Sequence, residues 1–295
     1  MAEGIITKAL SGFYYVQTES AVIECKARGR FRLDGTSPLV GDRVECSTDA
    51  TGKGRIDKVH ERKNFFIRPA VANVDALIFV AANTNPVTDP FLIDRVSVIA
   101  ESAGCELILC INKTDIDPAD ELFSLYTRAG FTVVRTSAAT GQGIDALKAA
   151  ISGKICAFTG NSGVGKSSIM NALLPGINIK TAEVSEKLGR GKHTTRHVEL
   201  FDLGNGCLVA DTPGFASFDL ELMEAIPKEQ LQHDFIDFAP YIGECRFLDC
   251  AHLKEPGCAV TRAVASGELA PSRHRSYERL YELSAKHKAW ETKEN

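Results

Sequence analysis

One phosphate-binding pattern constrains the fold of this chain more than any other feature. Residues 160–168 read Gly-Asn-Ser-Gly-Val-Gly-Lys-Ser-Ser and fit the P-loop pattern G-x-x-x-x-G-K-[ST]. The run 154–159 before it predicts a short buried strand, and the apolar residues from Ile169 to Leu174 recur at helical spacing. This strand-loop-helix context argues against a chance match in an ordinary turn. The pattern therefore predicts an α/β domain that binds a nucleotide.

Each residue type in this loop has a physical role. Glycines let the backbone wrap around phosphates, and N–H groups of the loop and the helix N-terminus point at the anion. We expect Lys166 to reach the β- and γ-phosphates and to serve catalysis, and the Ser167 hydroxyl to bind Mg²⁺. The residues that we expect to contact the nucleotide are Gly160, Asn161, Ser162, Gly163, Val164, Gly165, Lys166, Ser167 and Ser168.

The length and composition allow two or three folded domains. The chain has 295 residues, of which 44% are hydrophobic, and its net charge of −4 leaves room for a basic patch on one domain. We find no signal peptide, and the longest apolar run (76–82) is too short to span a bilayer, so we expect a soluble, cytoplasmic protein with no membrane partner. Nine scattered cysteines fit reduced thiols or metal ligands better than disulfides.

Residues 1–68 predict a small all-β barrel. Short runs of β-branched and aromatic residues are separated by glycines in this segment, which has 12 lysines and arginines against 9 acidic residues. Four basic residues alternate in sequence, and on a strand they would share one face: Lys26, Arg28, Arg30 and Arg32. Such a face suits RNA. An ordinary solvated strand face is the alternative.

Residues 69–218 alternate between apolar runs and helix-period stretches. This predicts a parallel sheet with helices on both faces and ligands at the carboxyl ends of the strands. The run 106–111 ends at Asn112-Lys113-Thr114-Asp115, where the carboxylate can accept two hydrogen bonds from guanine, a donor pair that adenine lacks. We expect Asn112 to hold the loop and the Lys113 stem to cover the base.

Two further tetrapeptides follow predicted strands. Thr-Ser-Ala-Ala at 136–139 can offer the N–H groups of Ser137 and Ala138 to the guanine oxygen. Asp211 follows the run 208–210 and is the expected carboxylate for Mg²⁺, acting mainly through water, and Gly214 can offer an N–H to the γ-phosphate. Each tetrapeptide alone is a common loop, but together with the P-loop they predict a guanine-nucleotide site.

The order of these motifs is unusual. In a Ras-like GTPase the P-loop comes first, whereas here Asn112 precedes Gly160. A circular permutation explains this order, because it leaves the strands and loops in place and moves only the termini. The alternative is a fortuitous motif in a different P-loop protein, which the match at 136–139 disfavours.

The stretch 175–197 has little apolar periodicity and lies where a switch loop is expected. We expect it to order around the γ-phosphate and Mg²⁺, with the hydroxyl of Thr194 or Thr195 as a metal ligand. Phe215 stands near the position where Ras-like enzymes carry a water-orienting Gln, so we expect slow hydrolysis by the protein alone. His193 is our candidate catalytic group, and an exposed loop histidine without a role is the alternative.

Four ligand-type side chains fall within fourteen residues near the C-terminus, namely Cys245, Cys250, His252 and Cys258. Three thiolates and an imidazole make a closed tetrahedral Zn²⁺ site, which implies a structural role. The spacing departs from the commonest zinc fingers, and buried thiols with a surface histidine are the alternative. The predicted helix 272–288 that follows has a basic side, which either contacts RNA or is solvated.

With its basic barrel, permuted motifs and Cys-Cys-His-Cys pattern, the chain resembles the circularly permuted GTPases of the RsgA/YjeQ family over nearly its whole length. The resemblance implies a multidomain protein: an all-β OB-type barrel (1–68), an α/β P-loop GTPase domain (69–218) and a C-terminal α-helical zinc-binding domain (219–295). It also implies that the small ribosomal subunit stimulates GTP hydrolysis during late subunit maturation.

We therefore expect a monomeric GTPase that uses one structural Zn²⁺, and Mg²⁺ with GTP, and that contacts ribosomal RNA. Two alternatives remain. One is a GTPase switch for a different target, such as tRNA modification or a membrane. The other is a nucleotide-gated RNA-binding switch on another RNA target, whose hydrolysis is incidental.

Overall fold

The computed structural model describes residues 1–29, 31, 37–49, 53–67, 70–175, 198–211 and 226–291, with the backbone alone at 211 and 286–291. Within these ranges a β-barrel comes first, a mainly parallel sheet with helices on both faces comes second, and a helical segment comes last. The same part of the chain contains no helix long and apolar enough to cross a membrane.

The barrel consists of five strands: β1 (Ala2–Leu10), β2 (Phe13–Thr18), β3 (Val22–Ala27), β4 (Arg43–Thr48) and β5 (Gly54–Val59). Their spatial order is β1-β2-β3-β5-β4, and β4 pairs back onto β1, which closes the barrel. Ile6, Val16 and Ile56 are fully buried inside it. Gly54 lies against β3, where a Cβ would come within 2.5 Å of the Cys25 Sγ, so only glycine fits at this crossing.

A short hairpin, β6 (Phe65–Ile67) and β7 (Ala70–Ala72), leads into the second unit. Its strands are β8 (Ala76–Ala82), β9 (Glu106–Asn112), β10 (Thr132–Arg135), β11 (Ile155–Thr159), β12 (Glu199–Asp202) and β13 (Leu208–Asp211). The spatial order is β10-β9-β8-β11-β13-β12; all neighbours are parallel except β12, which is antiparallel to β13. The carboxyl ends of the five parallel strands therefore lie at one edge.

Helices cover both faces of this sheet: α1 (Pro90–Ser102), α2 (Asp120–Arg128), α3 (Ile144–Ile151) and α4 (Lys166–Leu173). The central strands β8 and β11 are buried along their whole length, as two-sided burial requires. Alternate residues of β8 belong to two separate cores, with Leu77 in the core of α1 and α2 and Ile78 in the core of α3 and α4. The edge strand β12 meets the barrel, where the Lys8 Nζ lies 3.0 Å from a carboxylate oxygen of Glu199.

The C-terminal unit contains α5 (Leu231–Asp234), a 3₁₀ helix (Ile236–Tyr241), α6 (Ala259–Ser266) and α7 (Pro271–Glu291). It packs on α1 through a buried charge network. Arg273 of α7 is fully buried, and its guanidinium lies 2.7 Å from carboxylate oxygens of both Asp94 on α1 and Asp237. The Tyr126 hydroxyl also donates to Asp94, at 2.6 Å. Although burial opposes its charge, the two carboxylates raise the pKa of Arg273 above its usual value.

Candidate guanine-nucleotide site and metal cluster

The loop between β11 and α4 wraps tightly because three of its glycines have left-handed backbone angles. Gly160, Gly163 and Gly165 have φ values of +128°, +80° and +99°. A Cβ on Gly160 would lie 2.3 Å from the Val80 carbonyl oxygen, and one on Gly165 would lie 2.3 Å from the Asn112 side-chain nitrogen. The close approach of β8 and β9 thus explains why glycine is needed at both positions.

Lys166 begins α4 and folds back over this loop. Its Nζ donates to the carbonyl oxygens of Gly160 at 2.7 Å and Asn161 at 2.6 Å. Burial lowers the pKa of the Lys166 ammonium. Ser167 and Ser168 follow in the first turn of the helix, where N–H groups and the positive end of the helix dipole favour anions. The arrangement can therefore hold a phosphate chain.

The buried side chain of Asn112 connects the ends of three strands. Its Nδ2 donates to the Val164 carbonyl at 2.9 Å, and its Oδ1 accepts from the Ala138 N–H at 3.1 Å. Val164 belongs to the phosphate loop after β11, and Ala138 belongs to the loop after β10. The Asn112 side chain therefore fixes the distance between the phosphate loop after β11 and the loop after β10, where a base can bind.

The base side of the site is formed by the residues after Asn112. Lys113 has a φ of +64°, and its Nζ donates to the Gly163 carbonyl at 2.9 Å and to the Asn85 carbonyl. The Thr114 N–H and hydroxyl both donate to the Thr136 carbonyl, at 3.1 and 2.9 Å. Asp115 is exposed at the strand end, where its carboxylate can accept hydrogen bonds from a ligand.

The loop after β10 is held rigidly beside this wall. Ser137 is fully buried, and its Oγ accepts from the Thr140 N–H at 3.2 Å. Gly143 closes the loop with a φ of +74°, and a Cβ there would lie 1.9 Å from the Arg135 carbonyl oxygen. The Ser137 N–H donates to the Gln142 carbonyl at 2.9 Å and the Ala138 N–H donates to Asn112, so both N–H groups predicted for the guanine oxygen already have partners within the protein.

The loop after β8 forms another wall of the site, and no sequence motif predicted it. The Pro86 ring lies 3.3 Å from where a Gly163 Cβ would stand, and the Asn83 side chain donates to Asp117 at 2.8 Å. The rule that ligand sites lie at the carboxyl ends of parallel strands would have found this loop, because it follows the apolar run 76–82.

Several expected site residues lie outside the described residues, namely His193, Thr194, Thr195, Gly214 and the nearby Phe215. Asp211 is described by its backbone alone. It is the last residue of β13, whose Ala210 pairs with Ala157 of β11. Its backbone therefore lies at the same edge of the sheet as the phosphate loop.

The structure brings together the four predicted metal ligands, Cys245, Cys250, His252 and Cys258, with all ligand atoms within 4.8 Å of one another. The His252 Nδ1 lies 3.5 Å from the Sγ atoms of both Cys245 and Cys258. Backbone N–H groups of Ala259 and Thr261 donate to these two sulfurs, at 3.2 and 3.5 Å. Three sulfurs, one imidazole and N–H donors to sulfur fit a tetrahedral thiolate-bound metal.

One of these thiols is buried enough to keep its proton in the absence of a metal. Burial raises the pKa of the Cys250 thiol to about 12, so Cys250 would release a proton when it binds a cation. Glu255 ties down the same loop. Burial opposes its ionisation, but backbone N–H groups of Ala251, Leu253 and Lys254 donate to it and bring its pKa below the usual value.

The prediction that four basic residues share one strand face in the barrel is wrong. β3 ends at Ala27, so Lys26 lies on the strand, where its ammonium stands 4.9 Å from the Phe13 ring centroid. Arg28 follows the strand and pairs with Asp57, and the Phe31 N–H returns to the Arg28 carbonyl at 3.2 Å in a turn that buries Phe31. The turn after Ala27 interrupts the strand, so the period-two alternation does not continue through the basic run. Arg30 and Arg32 lie outside the described residues.

Comparison with known proteins places these features in a family. The model of the RsgA N-terminal domain matches residues 3–56, and that of the RsgA GTPase matches residues 59–221. The chain is 45% identical over 278 residues to the small ribosomal subunit biogenesis GTPase RsgA of Caldanaerobacter subterraneus subsp. tengcongensis, covering 93% of both proteins. It is 42% identical over 295 residues to the RsgA of Halalkalibacterium halodurans, covering 98% of this chain and 99% of that protein.

Solved structures agree with this similarity. YjeQ from Thermotoga maritima has a TM-score of 0.82 and 38% identity, with 96% of this chain and 98% of that chain covered. YloQ, described as a circularly permuted GTPase, has a TM-score of 0.82 and 36% identity, with 97% and 96% covered.

Proposed function

The chain belongs to the RsgA GTPase family, and we propose that it hydrolyses GTP in the late maturation of the small ribosomal subunit, to which it binds. The observation that carries the nucleotide assignment is the position of Asn112. Its amide joins the phosphate loop at Val164 to the base loop at Ala138, so that both loops meet one ligand at a fixed separation. Asp115 at the end of β9 supplies the guanine preference, because adenine cannot donate to both carboxylate oxygens.

The phosphates bind the loop from Gly160 to Ser168, and water attacks the γ-phosphate in line. Lys166 and the loop N–H groups neutralise the charge that develops on the transferred group. Ser167 and Asp211 offer the hard oxygen ligands that Mg²⁺ prefers, with a further hydroxyl from Thr194 or Thr195. When bound, the ion adds positive charge beside the phosphates. An N–H of Gly214 completes the contacts to the γ-phosphate.

Hydrolysis by the protein alone is slow in this proposal. Phe215 stands near the position of the water-orienting glutamine of Ras-like enzymes, and an apolar ring cannot hold water by hydrogen bonding. His193 in the switch loop is the candidate group for that role. In this proposal, binding to the small subunit stimulates hydrolysis by bringing this imidazole to the attacking water.

The Cys-Cys-His-Cys cluster binds one structural Zn²⁺, which leaves no open ligand position for catalysis. The protein acts as a monomer of three domains, with boundaries near residues 68 and 218. We keep Lys26, Arg28, Arg30 and Arg32 as the proposed contacts to ribosomal RNA because of their positive charge, and not because they share one strand face, since β3 ends at Ala27.

Co-sedimentation with isolated small ribosomal subunits tests the partner and the cycle. The GTP-bound form, fixed with a non-hydrolysable analogue, should sediment with the subunit, and the GDP form should remain largely free. Large subunits serve as the control for nonspecific RNA binding. Equal sedimentation of both nucleotide forms would contradict the cycle, and binding to large subunits of equal strength would contradict the partner.

A further inference from the structure

The imidazole of His252 has a second partner outside the four-ligand pattern. Its Nδ1 faces the sulfurs of Cys245 and Cys258, while its Nε2 lies 2.8 Å from the Oε1 of Gln232. His252 is 2% exposed, so water has little access to it. Gln232 belongs to α5 and stands twenty residues before His252.

The orientation of the Gln232 amide follows from its other hydrogen bond. Its Nε2 donates to the Glu229 carbonyl at 3.3 Å, which turns the Oε1 toward the imidazole. An amide oxygen only accepts, so the Nε2 of His252 must carry the proton. The unprotonated Nδ1 then faces the sulfurs, so its lone pair is free to bind a metal that lies between them.

Contacts from α7 fix the backbone around this ring. The His252 carbonyl lies 2.7 Å from the Nε2 of His274, and the Tyr277 hydroxyl donates to the Ala251 carbonyl at 2.8 Å. His252 itself has a φ of +58°, a left-handed conformation that is uncommon outside glycine. With the backbone held by α7, the Gln232 contact is made at the ring nitrogen that faces away from the sulfurs.

We propose that Gln232 is a positioning residue of the metal site, which selects the Nδ1-binding tautomer of His252 and increases the basicity of that nitrogen. The proposal rests on the Zn²⁺ site proposed above. Partners of this kind are commonly worth about 10- to 100-fold in metal affinity. Gln232 links α5 to the metal loop, so α5 is part of the metal site as well as of the contact with α1.

The test is Zn²⁺ affinity of the full chain, measured by competition with a chelator of known affinity at fixed pH. Gln232→Ala should weaken Zn²⁺ binding by about 10-fold or more, and Gln232→Glu should bind at least as tightly as the wild type, because a carboxylate is a stronger acceptor. Gln230→Ala is the matched control, since it removes the hydrogen bond from the glutamine that precedes this helix to Asp234, at 3.1 Å. It should leave Zn²⁺ affinity unchanged.

The Nε2 proton of His252 gives a second readout, because Zn²⁺ on Nδ1 leaves that proton in place in every variant and only its hydrogen bond changes. In nitrogen NMR of the Zn²⁺-loaded chain, this proton should exchange with water slowly in the wild type, Gln232→Glu and Gln230→Ala, and faster in Gln232→Ala. Unchanged Zn²⁺ affinity in folded Gln232→Ala, or a Gln232→Glu variant that binds as weakly as the alanine variant, would overturn the role of Gln232. A wild-type chain that binds no Zn²⁺ would overturn the zinc site as well.

Discussion

Replacing Asn112 by alanine tests whether one side chain holds the nucleotide loops together. The change removes the hydrogen bonds to Val164 and Ala138, both made inside the protein by a side chain that is 3% exposed. A hydrogen bond of this kind contributes about 0.5–1.5 kcal/mol, so the two together stabilise the bound arrangement by about 1–3 kcal/mol. At 1.4 kcal/mol per decade, the Kd for nucleotide should rise by about 5- to 150-fold.

The loss of affinity should be equal for GDP and for a non-hydrolysable GTP analogue. The two hydrogen bonds of Asn112, which we call the Asn112 clamp, join the loops and do not involve the γ-phosphate. Equilibrium titration with fluorescent nucleotides measures it. Asn64→Ala is the matched control, since the Asn64 side chain also bridges backbone groups, donating to the Val74 carbonyl and accepting from its N–H at 2.9 Å, but away from the site. A change in Kd of less than about twofold for Asn112→Ala, or an equal loss for Asn64→Ala, would refute the clamp.

Two further predictions concern base recognition and the contact between domains. Asp115→Asn should reduce GDP affinity by about tenfold or more and increase the relative affinity for xanthosine diphosphate, because the new amide donates where guanine also donates; competition titrations measure this, and an unchanged preference would remove Asp115 from base recognition. Asp94→Ala should lower the free energy of unfolding by about 3–5 kcal/mol, since it removes a buried partner of Arg273. Lys58→Ala breaks an exposed pair with Glu45 and should change it by less than about 1 kcal/mol. Urea unfolding compares the two, and equal effects would contradict the importance of the buried network.

Local sequence patterns predicted much of the fold because they follow from periodicity and strand ends. The P-loop strand and helix were predicted from the residues around Gly160, and the barrel from short glycine-separated runs. The rule that ligands bind at the carboxyl ends of parallel strands predicted that Asn112 and the phosphate loop share one edge of a sheet, and the strand order confirms this position. These features could be predicted because they depend on residues that are close together in the sequence.

Other features depend on contacts between distant parts of the chain, which no local pattern reports. Arg273 reads as one of several basic residues of a surface helix, yet it is fully buried against Asp94, 179 residues earlier. Gln232 has no motif that connects it to His252. The basic run after Lys26 was predicted as a strand, but the chain turns after Ala27 and buries the Phe31 side chain.

The most direct test of the proposed function is GTP hydrolysis under multiple turnover, with and without isolated small ribosomal subunits, at fixed Mg²⁺ and salt. We predict slow hydrolysis by the protein alone and strong stimulation by small subunits, with no comparable effect of large subunits. Tight GTP binding without stimulation by small subunits would contradict a subunit-activated GTPase. It would instead support a nucleotide-gated switch for another RNA.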